Sequence, residues 1–103
     1  MIDSRQASMC IGWLAIAAAE AAHQGASAAS IVSQVRQMLP RLCLWALIDD
    51  LRFLQRGGRV NWVTGLLGQM LAIKPIVLVK DGEAMLSEKV RSFRRGIERL
   101  ARA

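Results

Sequence analysis

The sequence runs to 103 residues, 53% of them hydrophobic and only 5% aromatic, with a formal net charge of +6. That length suits one small domain or a piece of a larger one, and so much apolar side chain exceeds what so short a chain can cover by itself. The single histidine, His23, excludes a histidine-based metal site, and Cys10 and Cys43 belong to no CxxC or Cys/His cluster.

The first 29 residues resemble a secretory leader in outline, with a short head, an apolar run from Met9 to Ala19 and then small residues. The head, however, carries Asp3 as well as Arg5, and the apolar run stops at Glu20, too short for a membrane span. A cytoplasmic protein with two buried, reduced thiols and no stable membrane insertion is the expectation.

Ser8 to Gln24 reads as a helix that Gly25 closes. Its apolar residues lie nearly all round, which predicts burial on most sides. His23 stands where an imidazole often serves the last carbonyls of a helix. Ser27 is placed to cap a second helix running to Leu39, with Ile31, Val35, Met38 and Leu39 on one face and Pro40 as its stop. Cys43 to Ile48 is a continuous apolar run of strand length. Asp49 or Asp50 then caps a short helix, Leu51 to Arg56, and Gly57-Gly58 breaks it.

Asn61 is placed to cap a further helix, Trp62 to about Leu71, in which Gly65 and Gly68 suggest close approach of a backbone or ligand. Pro75 to Val79 reads as a strand, Asp81-Gly82 as a hairpin turn and Glu83 to Leu86 as the partner strand. The final helix is expected from Ser87 or Glu88, with Val90, Phe93, Ile97 and Leu100 as its apolar stripe. The order is therefore helix, helix, strand, helix, helix, hairpin, helix, an α/β pattern with its likeliest boundary at Pro40-Arg41.

The chain shows no HExxH, no nucleophile elbow and no Walker-type glycine loop, so nothing in it marks an enzyme or a cofactor site. Asp49-Asp50 fits a helix cap better than an acid/base pair. Six of the fourteen basic residues, Lys89, Arg91, Arg94, Arg95, Arg99 and Arg102, crowd the last fifteen positions. Such a helix is either a solvated face or a contact for nucleic acid, a lipid surface or an acidic protein.

Several segments, in order along nearly the whole chain, resemble the DegV family of fatty-acid-binding proteins. Leu51-Arg52-Phe53-Leu54-Gln55-Arg56-Gly57-Gly58-Arg59-Val60 looks like that family's LEYLKKGGRI segment. Leu66 to Ile76 is similar to its LLGxLLxIKPI stretch, and Lys80 to Glu83 followed by Glu88 to Arg91 resembles DGE…EKVR. Upstream, Ile2-Asp3-Ser4 and Ser8 to Gly12 resemble VDS…SMGLG, with Cys10 where the family prefers glycine.

The resemblance implies a piece of a two-domain α/β fold, with residues 1–40 ending the N-terminal domain and 41–103 beginning the C-terminal one. It implies a carrier that buries one long-chain fatty acid in an interdomain slot and presents the carboxylate to a fatty acid kinase, without being an enzyme itself. The family's carboxylate clamp, a Ser/Thr element, an SGTY-like segment and an HTGPG-like segment, does not occur in these residues, which suits a central piece. Trp62, Leu66, Leu67, Met70 and Ile73 are the candidate slot lining, although core packing explains apolar residues at helical spacing more often than ligand contact does. Arg59, after the double glycine, and Arg91, expected to open the basic helix, are the candidates for kinase docking or head-group electrostatics.

Two other readings remain. One is a small basic nucleic-acid-binding protein using Lys89 to Arg102; it needs exposed aromatics among the basic residues, and Phe93 falls on the expected apolar stripe. The other is a truncated product that self-associates into a homo-oligomer through uncovered apolar surface.

Overall fold

The structure is a computed structural model, and it describes residues 1–58, 61, 63, 65 and 73–103. Contacts divide the chain into two units: Met1–Leu44 with Val79–Glu83, and Trp45–Leu78 with Ala84–Ala103. The described elements follow the α/β order expected from sequence, and the helix expected from Trp62 to Leu71 lies outside the described residues.

In the first unit, α1 (Met9–His23) and α2 (Ala28–Met38) pack on each other. The connection is set by local chemistry. Gly25 takes φ 86°, its N–H donates to the Ala22 carbonyl at 3.0 Å, and the Ala26 N–H donates to Ala21 at 3.0 Å. This paired closure is the Schellman arrangement, and its backbone amides take the terminal carbonyls that the sequence offered to His23. Two residues on, Ser27 Oγ accepts from the Ser30 N–H at 3.2 Å and starts α2. Val35 is buried on the expected face, and a 3-10 turn, Leu39–Arg41, ends the helix at Pro40.

Two expectations fail in this unit. Helix α1 is not buried on most sides: Cys10, Leu14 and Ala21 form its inward face, while Met9, Ile11, Trp13 and Ile16 are exposed. One neighbouring helix can cover only one stripe of an apolar cylinder. Cys43 is exposed rather than buried, because it precedes β1 at a position whose neighbours, Leu42 and Leu44, take the inward side.

The sheet has the order β1 (Leu44–Leu47), β2 (Lys74–Lys80), β3 (Glu83–Val90). Its centre, β2, buries Pro75, Ile76 and Val77 in succession, as a strand covered on both faces should. Between β2 and β3, Asp81 and Gly82 take φ 54° and 87°, the paired positive values of a tight hairpin turn that matches strand twist.

Strand β3 runs four residues past the expected end at Leu86, and Ser87 or Glu88 does not begin a helix. Alternation explains this: Ala84, Leu86, Glu88 and Val90 turn inward, while Glu83, Met85, Ser87 and Lys89 face out. Pairing along β2 carries that pattern through residues whose own preferences also suit a helix.

In the second unit, α3 (Leu51–Gly57) places Leu51 at a core with Val63; the two are 2% and 1% exposed, and Ile48, Leu54, Ile73 and Leu86 pack around them. The left-handed Gly58, φ 62°, closes α3. Helix α4 (Phe93–Leu100) begins where Ser92 Oγ accepts from the Arg95 N–H at 3.3 Å. Its inward side is not the expected stripe. Gly96 is buried and Leu100 half-buried, whereas Phe93 and Ile97 are each 49% exposed, and Val90 belongs to β3.

The helix face is chosen by closeness of approach. A methyl at Gly96 would lie 2.5 Å from both δ carbons of Leu47 and 3.1 Å from its γ carbon. Alanine would gain about 1 kcal/mol in helix propensity, but overpacking typically costs about 1–3 kcal/mol. Gly96→Ala should therefore lower stability by about 1 kcal/mol in urea unfolding, and the loss should shrink in a Leu47→Val background. A stabilised Gly96→Ala would show that α4 does not sit this close to β1.

Candidate functional site

Two charged constellations stand out in the second unit. The first lies where β1 leaves the sheet. The Ile48 N–H donates to the Pro75 carbonyl at 2.9 Å, and the chain then turns through Asp49 and Asp50 into α3. Lys74 Nζ donates to the Asp49 carbonyl and meets Asp49 Oδ1, both at 2.8 Å, which fixes this turn from the start of β2.

Asp50 is the cap that the sequence left open between two aspartates. Its Oδ1 accepts from the Arg52 N–H at 2.9 Å, and the Arg52 guanidinium lies along the carboxylate, Nε to Oδ2 at 2.9 Å and Nη2 to Oδ2 at 2.6 Å. The side-chain bond from Arg52, then its backbone N–H, hold the carboxyl down from 3.8 to about 2, and the same bond raises the guanidinium. With both aspartates tied to cations and a cap, this cluster has no free acid or base and suits structure rather than chemistry.

The second constellation is a groove of about 510 Å³ between the end of β3 and the outer face of α4. Its walls are Glu88, Lys89, Val90 and Arg91 on one side and Arg95, Glu98, Arg99 and Arg102 on the other. Arg99 Nε donates to Glu88 at 2.9 and 3.1 Å, and Arg94 Nε donates to Glu98 at 3.3 Å. Arg91 was expected to open the basic helix; it is instead an exposed residue in the bend before α4, and Ser92 is the cap.

Of the sequence-predicted site residues, Arg59, Trp62, Leu66, Leu67 and Met70 lie outside the described residues. Ile73 is half-buried against Leu51 and Val63, a place in the core. The groove itself escaped sequence reasoning because Glu88 and Lys89 were assigned to the same helix as Arg95 to Arg102. The alternation of Ala84, Leu86, Glu88 and Val90 was the signal that separates them.

Among the described residues, no three His, Cys, Asp or Glu side chains converge as metal ligands, and no helix is long and apolar enough to cross a membrane.

Because the lowered Asp50 carboxyl favours its charged form in the fold, its contribution to stability is complete above pH 4 and fades as the pH falls through 2. Arg52→Ala should move the Asp50 titration back toward 3.8, read by carbon NMR of the side-chain carboxyl. An unchanged midpoint would remove Arg52 as the cause.

The whole chain, residues 1–103, matches the family model described as "Uncharacterised protein, DegV family". A DegV domain-containing protein of Caldanaerobacter subterraneus is 38% identical over 97 residues, covering 94% of this chain and 35% of that protein. One from Listeria innocua is 36% identical over 98 residues, covering 95% of this chain and again 35% of the relative. The chain thus spans about a third of the length of these relatives.

Among solved structures, the fatty acid binding DegV family protein of Streptococcus agalactiae superposes with a TM-score of 0.84 at 26% identity, over 99% of this chain and 36% of that one. DegV of Bacillus subtilis, described as a fatty acid binding protein, gives 0.79 at 29% identity over 98% of this chain and 36% of its own. The fold over these residues is the one those proteins have, and this chain belongs to the DegV family.

Proposed function

We propose that this chain helps to hold one long-chain fatty acid as part of a two-domain DegV-type carrier. The observation that carries the reading is the superposition of nearly all its residues on two solved DegV proteins described as binding fatty acids. Residues 1–40 would end the N-terminal domain and 41–103 begin the C-terminal one, with the acyl chain in a slot between the two domains. The break in contacts between Leu44 and Trp45 lies close to that boundary, although Val79–Glu83 groups with the first unit.

An acyl chain needs a long apolar wall, and Trp62, Leu66, Leu67 and Met70 are proposed to supply part of it, Met70 through its adaptable side chain. Ile73 packs in the core, so its proposed contribution is to back that wall. The carrier itself performs no chemistry. It presents the carboxylate to a fatty acid kinase in the cytoplasm, with Arg59 and Arg91 supplying positive potential toward the kinase. The exposed position of Arg91 supports that role.

The exposed apolar side of α1, with Trp13 57% and Met9 55% accessible, supports self-association into a homo-oligomer as a second reading.

Native mass spectrometry of the chain after bacterial expression should show one co-purified fatty acid per protein. Protein free of lipid, and unable to take up a fluorescent fatty acid, would defeat the reading for these residues. In an intact relative, alanine at the positions matching Arg59 and Arg91 should slow kinase-dependent acyl-phosphate formation without reducing fatty-acid binding. Unchanged turnover would remove the two arginines from that role.

A further inference from the structure

The charge of the groove between β3 and α4 is not matched within the fold. Five cations line it, Lys89, Arg91, Arg95, Arg99 and Arg102, against two carboxylates. Both carboxylates are already committed, Glu88 to Arg99 and Glu98 to Arg94. Lys89, Arg91, Arg95 and Arg102 have no carboxylate partner among the described residues. Gathering like charges in one depression raises the free energy of the compact state, and an anion entering the groove relieves it.

The geometry points to a phosphate-bearing ligand in this groove, and we propose that it is a phosphate site. Arg95 and Arg99 share one face of α4 at a spacing of four residues, and Arg102 follows in the turn just past its end, so the three arginines line one wall of the groove. Lys89, exposed near the end of β3, and Arg91, in the bend that follows it, line the opposite edge of the groove, so an anion between the walls meets positive charge from both sides. Arg99 matters most for specificity. Glu88 holds its Nε, which orients the planar group and leaves the terminal amino groups free to donate in pairs. Paired donors match the oxygens of a phosphate, whereas Lys89 adds a point charge.

The volume of about 510 Å³ admits more than a bare ion, within the usual span of small-molecule sites. A lipid headgroup and a free organic phosphate share this chemistry. The site does not depend on acyl-chain binding, so either reading can fail without the other.

The test is calorimetric titration of the 103-residue chain with pyrophosphate and with sulfate, alongside sedimentation with three kinds of vesicle. These are phosphatidylglycerol, phosphatidylcholine, and phosphatidylcholine doped with a sulfate-headed lipid. Pyrophosphate should bind more tightly than sulfate, and Arg95→Gln/Arg102→Gln should weaken it at least tenfold. Lys89→Gln/Arg91→Gln, which leaves α4 untouched, should do the same, so that loss of the helix cannot account for the effect; circular dichroism checks the fold of both variants.

Binding to phosphatidylglycerol vesicles alone, with the same sensitivity to both variants, supports the site with a lipid headgroup as its source. Equal binding of sulfate or of the sulfate-doped vesicles overturns the proposal, as does binding that neither variant weakens. Absence of binding to every phosphate probe also overturns it, and so does capture of a single-stranded oligonucleotide in preference to pyrophosphate, since that marks a general polyanion surface. Fatty acid measured in the same samples by native mass spectrometry reports separately on the carrier reading.

Discussion

A single backbone bond sets the geometry of the second unit: the Ile48 N–H donating to the Pro75 carbonyl at 2.9 Å. Proline has no N–H of its own, so at this point of the central strand only its acceptor is available, and Ile48 uses it. The bond brings the end of β1 beside the start of β2, which puts Asp49 within reach of Lys74 and lets Asp50 begin α3 two residues later. Leu51 then enters the core from a helix whose first turn is fixed at both the backbone and the side chain. Pro75 is itself among the most fully buried side chains, so apolar packing surrounds the bond and shields it from water.

A second constraint acts at the opposite size limit. Gly96 is the one position of α4 that must carry no side chain, because Leu47 occupies the space. That contact decides how the helix is rotated. With Gly96 and Leu100 inward, Phe93 and Ile97 fall on one exposed flank, and Arg95, Arg99 and Arg102 fall along the other side. The crowding of positive charge in the groove is therefore a consequence of one close approach, made by the buried side of the same helix.

What the sequence conveyed well was chemistry that acts within a few residues. Gly25, Ser27, Asp50 and Asp81-Gly82 each satisfy or turn the adjacent backbone, and each does so in the fold. What it conveyed poorly was chemistry that depends on distant neighbours. The register that carries β3 to Val90 comes from β2, and the face that α4 buries comes from Leu47. For α1, the number of apolar residues gave no sign of how many neighbours would cover them. For the candidate site the division is similar: family membership was legible from short segments, while the groove required knowing that Glu88 and Arg99, eleven residues apart, meet.

The two thiols have a practical consequence of their own. Both belong to the first unit, yet Cys43 is exposed while Cys10, in the first turn of α1, is buried. A thiol reagent meets the first at once and the second only when local opening uncovers the start of α1. The delay between the two modifications measures the opening of this unit alone, with no added label and with one cysteine calibrating the other.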